Sequence, residues 1–268
     1  MPDELLERLR RFHDQTFPGI QERFQALVEH GQHPTILFIG CSDSRLVPYL
    51  LTGTGPGELF IVRNVAAFVP PHDGMLSDTC NDPPQEGSYL GTARRWTGYH
   101  GTAAAIEFAV LNLQVTRIVV CGHSHCGGIR ALYEGVPVEA INLKAWLDLG
   151  REAVLPVRLF APEASPHLAT LDGKNAGAAR HSPSDGLRQE VLRRTEQRAV
   201  MLQLERLMSY PMVRSRVEAG HLTLHGWHYV IEDGEVHILD IPSGRFVPAS
   251  SAEHSGIRPG SETPDHML

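Results

Sequence analysis

Arg117-Ile-Val-Val-Cys-Gly-His-Ser-His-Cys-Gly-Gly128 joins an apolar run, a glycine turn and a cluster of metal-ligating side chains without interruption. The run 117–121 reads as a short buried strand, and the paired glycines open a helix expected over 127–134. The same design occurs earlier, where Thr35-Ile-Leu-Phe-Ile-Gly40 leads straight into Cys41-Ser-Asp-Ser-Arg45. A third apolar run, 58–62, lies between them and is followed by a stretch, 102–113, whose Ala105, Phe108, Ala109 and Leu113 share one helical face. Continuous apolar runs separated by helices are the pattern of parallel strands covered on both faces. Further helices are expected at 3–14, 19–30, 138–153 and 187–208. Strands at 221–231 and 235–240 flank Glu232-Asp233-Gly234, a hairpin turn. The fold class is therefore α/β, a mostly parallel central β-sheet flanked by helices and edged by the final strands.

The chain of 268 residues is long enough to bury a core without disulfides, and 42% of it is hydrophobic. One domain over 1–242 is expected, with irregular excursions at 72–98 and 161–186 and a Ser-, Pro-, Gly- and His-containing tail over 243–268 that reads as disordered. A formal charge of −7 argues against a nucleic-acid partner. The opening MPDELLERLRRF carries charges of both signs and lacks the apolar centre of a signal peptide, and no apolar run approaches a membrane span. A cytoplasmic location is the default expectation. In such a setting the four cysteines, Cys41, Cys80, Cys121 and Cys126, are better read as metal ligands or spectators than as disulfides.

Cys41 and His123 each follow a strand, and ligands in open α/β sheets bind outside the carboxyl ends of strands. If those strands are neighbours, the two segments meet. Thiolate and imidazole together suit zinc, and three protein ligands, Cys41, His123 and Cys126, leave its fourth position for water. His125 sits between two of these and could take the place of His123. Cys121 reads as a small buried hydrophobe at a strand end, and Cys80 as a spectator in the 72–98 excursion. Asp43 and Arg45 have two compatible readings: an ion pair that ties down a loop, and a carboxylate kept ionised beside the metal by its arginine.

These segments closely resemble the β-class carbonic anhydrases. The family's Cys-Ser-Asp-Ser-Arg stands at 41–45 and its Gly-His-Ser-x-Cys-Gly-Gly at 122–128. PGELFIVRNVA at 56–66, AAAIEFAV at 103–110 and LTLHGWHY at 222–229 extend the resemblance over most of 1–242. It implies Cys41, His123 and Cys126 as ligands of one zinc per chain, with Asp43 and Arg45 as the catalytic dyad. It also implies a homodimer or a higher even-numbered homo-oligomer, with active sites near the subunit interface and an N-terminal helix embracing the partner. Gln32 matches a glutamine that hydrogen-bonds substrate in plant-like members, and Phe60, Val65 and Phe108 fall where that group lines a CO2 pocket. Phe108 replaces the more usual tyrosine. Arg63 and Tyr229 match two positions of a regulatory bicarbonate site found in another subgroup, but Phe38 stands where that site needs tryptophan, so the plant-like type is expected.

The implied reaction is reversible hydration of CO2 to bicarbonate and a proton, by attack of zinc-bound hydroxide, with activity rising with pH. The excursion at 72–98 could narrow the pocket entrance, bind a partner or do nothing. Some carboxysome-associated relatives dock through a C-terminal extension, and by analogy the tail could do so within a carbon-fixing compartment. Rival readings are a CS2 or COS hydrolase on the same fold and metal, and a non-catalytic zinc-binding scaffold. A thiol redox protein fits poorly, because Cys121 and Cys126 lack Cys-x-x-Cys spacing.

Overall fold

A computed structural model describes residues 3–72, 100–156, 183–252 and 256–257, with main chain only at 183–187. Cys80, nearly all of the 72–98 and 161–186 excursions, and the terminal residues 258–268 lie outside the described residues. The elements run α1 Glu4–Arg11, α2 Gln21–His30, β1 Ile36–Cys41, α3 Pro48–Thr52, β2 Leu59–Asn64, α4 Gly101–Glu107, β3 Arg117–His123, α5 Gly127–Glu134, α6 Ile141–Leu147, α7 Pro183–Ser209, α8 Pro211–Glu218, β4 Thr223–Val230, β5 Glu235–Asp240 and β6 Arg245–Pro248. No described helix is long and apolar enough to cross a membrane.

The sheet order is β2-β1-β3-β4-β5-β6, parallel from β2 to β4 and antiparallel beyond. The expected mostly parallel sheet edged by the last strands is thus observed. Side chains alternate across each strand, so the apolar runs serve two cores at once. Leu37, Ile39, Ile118 and Val120 face one core with residues of α4, α7 and α8. Phe38, Val119 and Cys121 face the other, with Leu46 and Trp227. Both strands are therefore almost wholly buried, which is why they read as unbroken hydrophobic runs.

Helix α7 approaches the sheet closely over two glycines. A Cβ on Gly122 would lie 2.8 Å from Val200 Cγ2, and one on Gly226 would lie 3.1 Å from Leu204 Cδ1. The absent side chains let this long helix lie against the carboxyl end of β3.

Three expectations need correction. Residues 245–248 are not part of a disordered tail but pair with β5, placing Phe246 opposite Leu239 and Val247 opposite Ile238. Burial of those side chains along the sheet outweighs a local sequence that reads as turn and tail. The isolated bridge Leu224↔Ile257 further ties residue 257 to β4. The helix expected over 102–113 ends in a π-helical turn, Phe108–Asn112, and 138–153 divides into α6 and a 3₁₀ segment, Asp148–Ala153.

Helices α1 and α2 bury none of their residues, although Leu5 and Leu9 on α1, and Phe12 just after it, are large and apolar. Asp3 caps α1 through hydrogen bonds from the amides of Leu5 and Leu6.

Candidate metal centre

β1 has β2 on one side and β3 on the other, so the chain leaves it in opposite directions at their carboxyl ends. That topological switch point is where open α/β sheets bind ligands. Cys41 is the last residue of β1, His123 the last of β3, and Cys126 the residue just before α5. Their ligand atoms all lie within 4.8 Å of one another, and all three residues are buried. The two sulfurs are 4.0 Å apart. Two Zn–S bonds of about 2.3 Å at a tetrahedral angle would place them about 3.8 Å apart.

The imidazole of His123 supplies an independent test of fit. Its Nδ1 faces the Ser124 carbonyl oxygen at 2.8 Å, which assigns the ring proton there and leaves Nε2 bare. Nε2 is buried and has no hydrogen-bond partner among the described residues. A buried acceptor aimed at two sulfurs fits a metal ion. The donor set of two sulfurs and one nitrogen suits zinc and leaves one position open.

Each ligand is anchored from behind. The Cys41 sulfur accepts from the amides of Ala66 at 3.3 Å and Asp43 at 3.5 Å. Ala66 and Ala67 have φ of 64° and 56°, a left-handed backbone that non-glycine residues seldom adopt. This turn presents the Ala66 amide to the sulfur. Arg63, which matches one position of the regulatory site that Phe38 argues against, donates to the carbonyl oxygens of Cys41 at 3.1 Å and Asp43 at 2.6 Å.

The Cys41 thiol is pulled well below its ordinary value. The hydrogen bond from the Cys126 thiol is the main cause, with His123 and the Asp43 amide also favouring the thiolate and burial opposing it. Cys126 is raised as the member of the pair that keeps the proton, and burial adds to this. Burial alone would lower His123, but the negative charge of the adjacent Cys41 sulfur leaves it raised.

Asp43 and Arg45 stand at the rim. Arg45 donates from Nε to Oδ1 at 2.9 Å, from Nη2 to Oδ2 at 2.7 Å and from its amide to Oδ1 at 3.0 Å. These contacts, led by the guanidinium, hold the carboxyl well below the usual carboxylate range. Asp43 Oδ2 is 3.9 Å from His123 Nε2, so the carboxylate borders the centre while its arginine engages both oxygens.

His125, the alternative imidazole, turns away. Its backbone has φ of 58°, its carbonyl oxygen accepts from Arg45 at 3.1 Å and its Nε2 lies 3.4 Å from Glu232. Cys121 is buried in the core with Phe38, Leu46 and Val119, with burial pushing its thiol up.

The expected substrate residues are less closely gathered. The rings of Phe60 and Phe108 are 5.7 Å apart, and Val65 lies beside Gly128, but Phe108, Val65 and Gln32 are exposed in the single chain. Sequence reasoning missed Glu196, a buried carboxylate on α7 that accepts the Cys126 amide at 3.0 Å. Its signal was available: a carboxylate on the inward face of a helix, between Leu192 and Val200, is unusual enough to need a partner.

Gly128 tests how tightly this shell is packed. A Cβ there would meet Val65 Cγ1 at 2.9 Å and the Ala66 Cβ at 3.0 Å. Gly128→Ala is therefore expected to cost about 1–3 kcal/mol of stability in urea unfolding, as overpacking typically does. It should also displace the Ala66 amide from Cys41; parental unfolding would show that the turn yields freely.

A family model described as carbonic anhydrase matches residues 36–236. A carbonic anhydrase of Pseudomonas aeruginosa is 34% identical over 256 residues, spanning 95% of this chain and 94% of its own. A carbonic anhydrase of Synechocystis sp. is 33% identical over 262 residues, spanning 98% and 79%. Among solved structures, the β-carbonic anhydrase CcaA superposes with a TM-score of 0.69 at 29% identity, covering 97% of this chain and 96% of that one.

Proposed function

The chain belongs to the β-class carbonic anhydrases, and from that premise we propose that Cys41, His123 and Cys126 hold one zinc ion at which CO2 is reversibly hydrated to bicarbonate and a proton. The observation that carries this reading is the convergence of two sulfurs and a bare, buried imidazole nitrogen beside a carboxylate clamped by arginine. Bound zinc supplies Lewis acidity, which brings the pKa of water from about 15.7 to roughly 7.

The chain's own residues do the rest. The thiolates of Cys41 and Cys126 donate more charge than imidazoles would, which favours activity that rises toward alkaline pH. Asp43 Oδ2 accepts a hydrogen bond from the attacking oxygen and turns a lone pair toward carbon. Arg45 keeps that carboxylate ionised and away from the open ligand position, the arrangement of the plant-like type. Phe60, Val65 and Phe108 offer CO2 an apolar wall. Gln32 donates to a CO2 oxygen as charge develops on it.

Gln32, Val65 and Phe108 are exposed on the single chain, which suits a pocket completed in a homodimer or larger even-numbered assembly. The apolar Leu5 and Leu9 on α1 and Phe12 just after it, all exposed on the single chain, support the same reading.

Stopped-flow CO2 hydration on protein of known zinc content tests the proposal. The expected result is one zinc per chain and a rate that climbs with pH. Full zinc with no hydration at any pH would overturn it.

A further inference from the structure

We infer that Glu196 and His228 form a carboxylate–imidazole brace that positions Cys126 and thereby controls how firmly the centre keeps its metal. The inference rests on reading Cys41, His123 and Cys126 as a metal centre. Glu196 lies one helical turn before Val200, on the face of α7 that Gly122 admits to the sheet. It is 3% exposed and uses both oxygens: Oε1 accepts the Cys126 amide at 3.0 Å, and Oε2 faces His228 Nε2 at 3.0 Å. His228, on β4, is wholly buried.

Burying a carboxylate is expensive unless specific contacts compensate it. Mere helix-on-sheet packing is met along the same face by Val200 and Leu204, so packing does not account for an acid here. The Cys126 amide does. Cys126 immediately precedes α5, where a backbone N–H has no partner within the helix. The cavity between the ligands and α7 is only about 10 Å³, at the lower bound of what one water needs. Glu196 therefore supplies the acceptor that solvent does not, and it fixes the peptide plane from which the Cys126 sulfur projects.

The other two ligands have anchors of their own: the Ser124 carbonyl orients His123, and the Ala66 and Asp43 amides hold Cys41. The brace completes the set. His228 serves it through one atom, since its Nδ1 is buried with no partner among the described residues. With a carboxylate opposite Nε2, the ring proton resides on Nε2, and the imidazole acts as donor to Glu196.

The test uses full-length protein loaded with zinc, or with cobalt as a spectroscopic probe. The readouts are the rate of zinc release to a chelator and the thiolate-to-cobalt charge-transfer band. Glu196→Met removes the acceptor at similar length and should release zinc about 10–100-fold faster, with a displaced cobalt band. Glu196→Gln keeps an acceptor for the Cys126 amide and should stay within about fivefold of the parent, the cost of a neutral for a charged acceptor. Parental release and spectrum in Glu196→Met, or equal loss in the Gln and Met variants, would overturn the brace.

If Glu196→Met does not fold, His228→Phe decides. Faster release with a displaced band supports the brace, and parental values overturn it. A folded parent chain that takes up neither metal would refute the metal centre and the brace together, a result distinct from a parent that binds and variants that behave identically to it.

Discussion

Cys41→Ser is expected to yield a folded chain with only traces of zinc and no CO2 hydration above the buffer rate. A serine hydroxyl does not ionise near neutral pH, so the substitution removes one of three ligands outright. The remaining two, His123 and Cys126, lie three positions apart where β3 gives way to α5, and the metal-mediated tie between the ends of β1 and β3 is lost. The fold itself should survive. Cys41 pairs through its backbone with Asn64 in β2, and its carbonyl is held by Arg63, contacts that do not depend on the sulfur. Melting should fall only by the stabilisation that bound metal contributes through mass action. Cys121→Ser, buried in the core with Phe38, Leu46 and Val119, is the control and should keep full zinc. Metal analysis and far-UV circular dichroism on both variants suffice. One zinc per chain in Cys41→Ser would remove this residue from the centre.

The parallel strands were legible because two-sided burial writes itself as unbroken apolar runs, and β1 and β3 lie within a residue or two of where those runs stand. β6 was not legible. Its four residues lie between Gly244 and Ala249 and include a proline, and they become a strand only because β5 offers a neighbour to pair with. The π-helical turn at Phe108 was equally hidden, since the apolar spacing there is compatible with an ordinary helix.

In the centre, chemistry made the candidates visible and geometry made the choice. Spacing alone left His123 and His125 as alternatives. A left-handed backbone at His125 and the contact of its carbonyl with Arg45 send that side chain toward Glu232 instead. Glu196 meets Cys126 across 70 positions of sequence, a proximity created by helix packing over glycine that no local pattern encodes.

Asp43→Asn should keep its zinc and lose about 10²–10³-fold in hydration rate, the range expected when one positioned polar group at a reacting atom is removed. Asparagine has the same shape, but one of its two groups is a donor. Arg45 donates to both oxygens of Asp43, so in the variant an amide NH2 must face either the guanidinium or the reacting oxygen. Either choice removes an acceptor. Because Arg45 holds the Asp43 carboxyl well below the usual range, Asp43 stays ionised at every pH where hydration is measurable. The variant should therefore lower the pH–rate curve without changing its shape.

Arg45→Ala distinguishes two roles of the guanidinium. If Arg45 only orients Asp43, adding Asp43→Asn to Arg45→Ala can lower the rate further or leave it unchanged. If it also restrains a carboxylate that lies 3.9 Å from His123 Nε2, the released Asp43 competes for the open ligand position. The double variant should then be faster than Arg45→Ala alone, and we expect that order. A double variant slower than Arg45→Ala would show that the clamp orients Asp43 without restraining it.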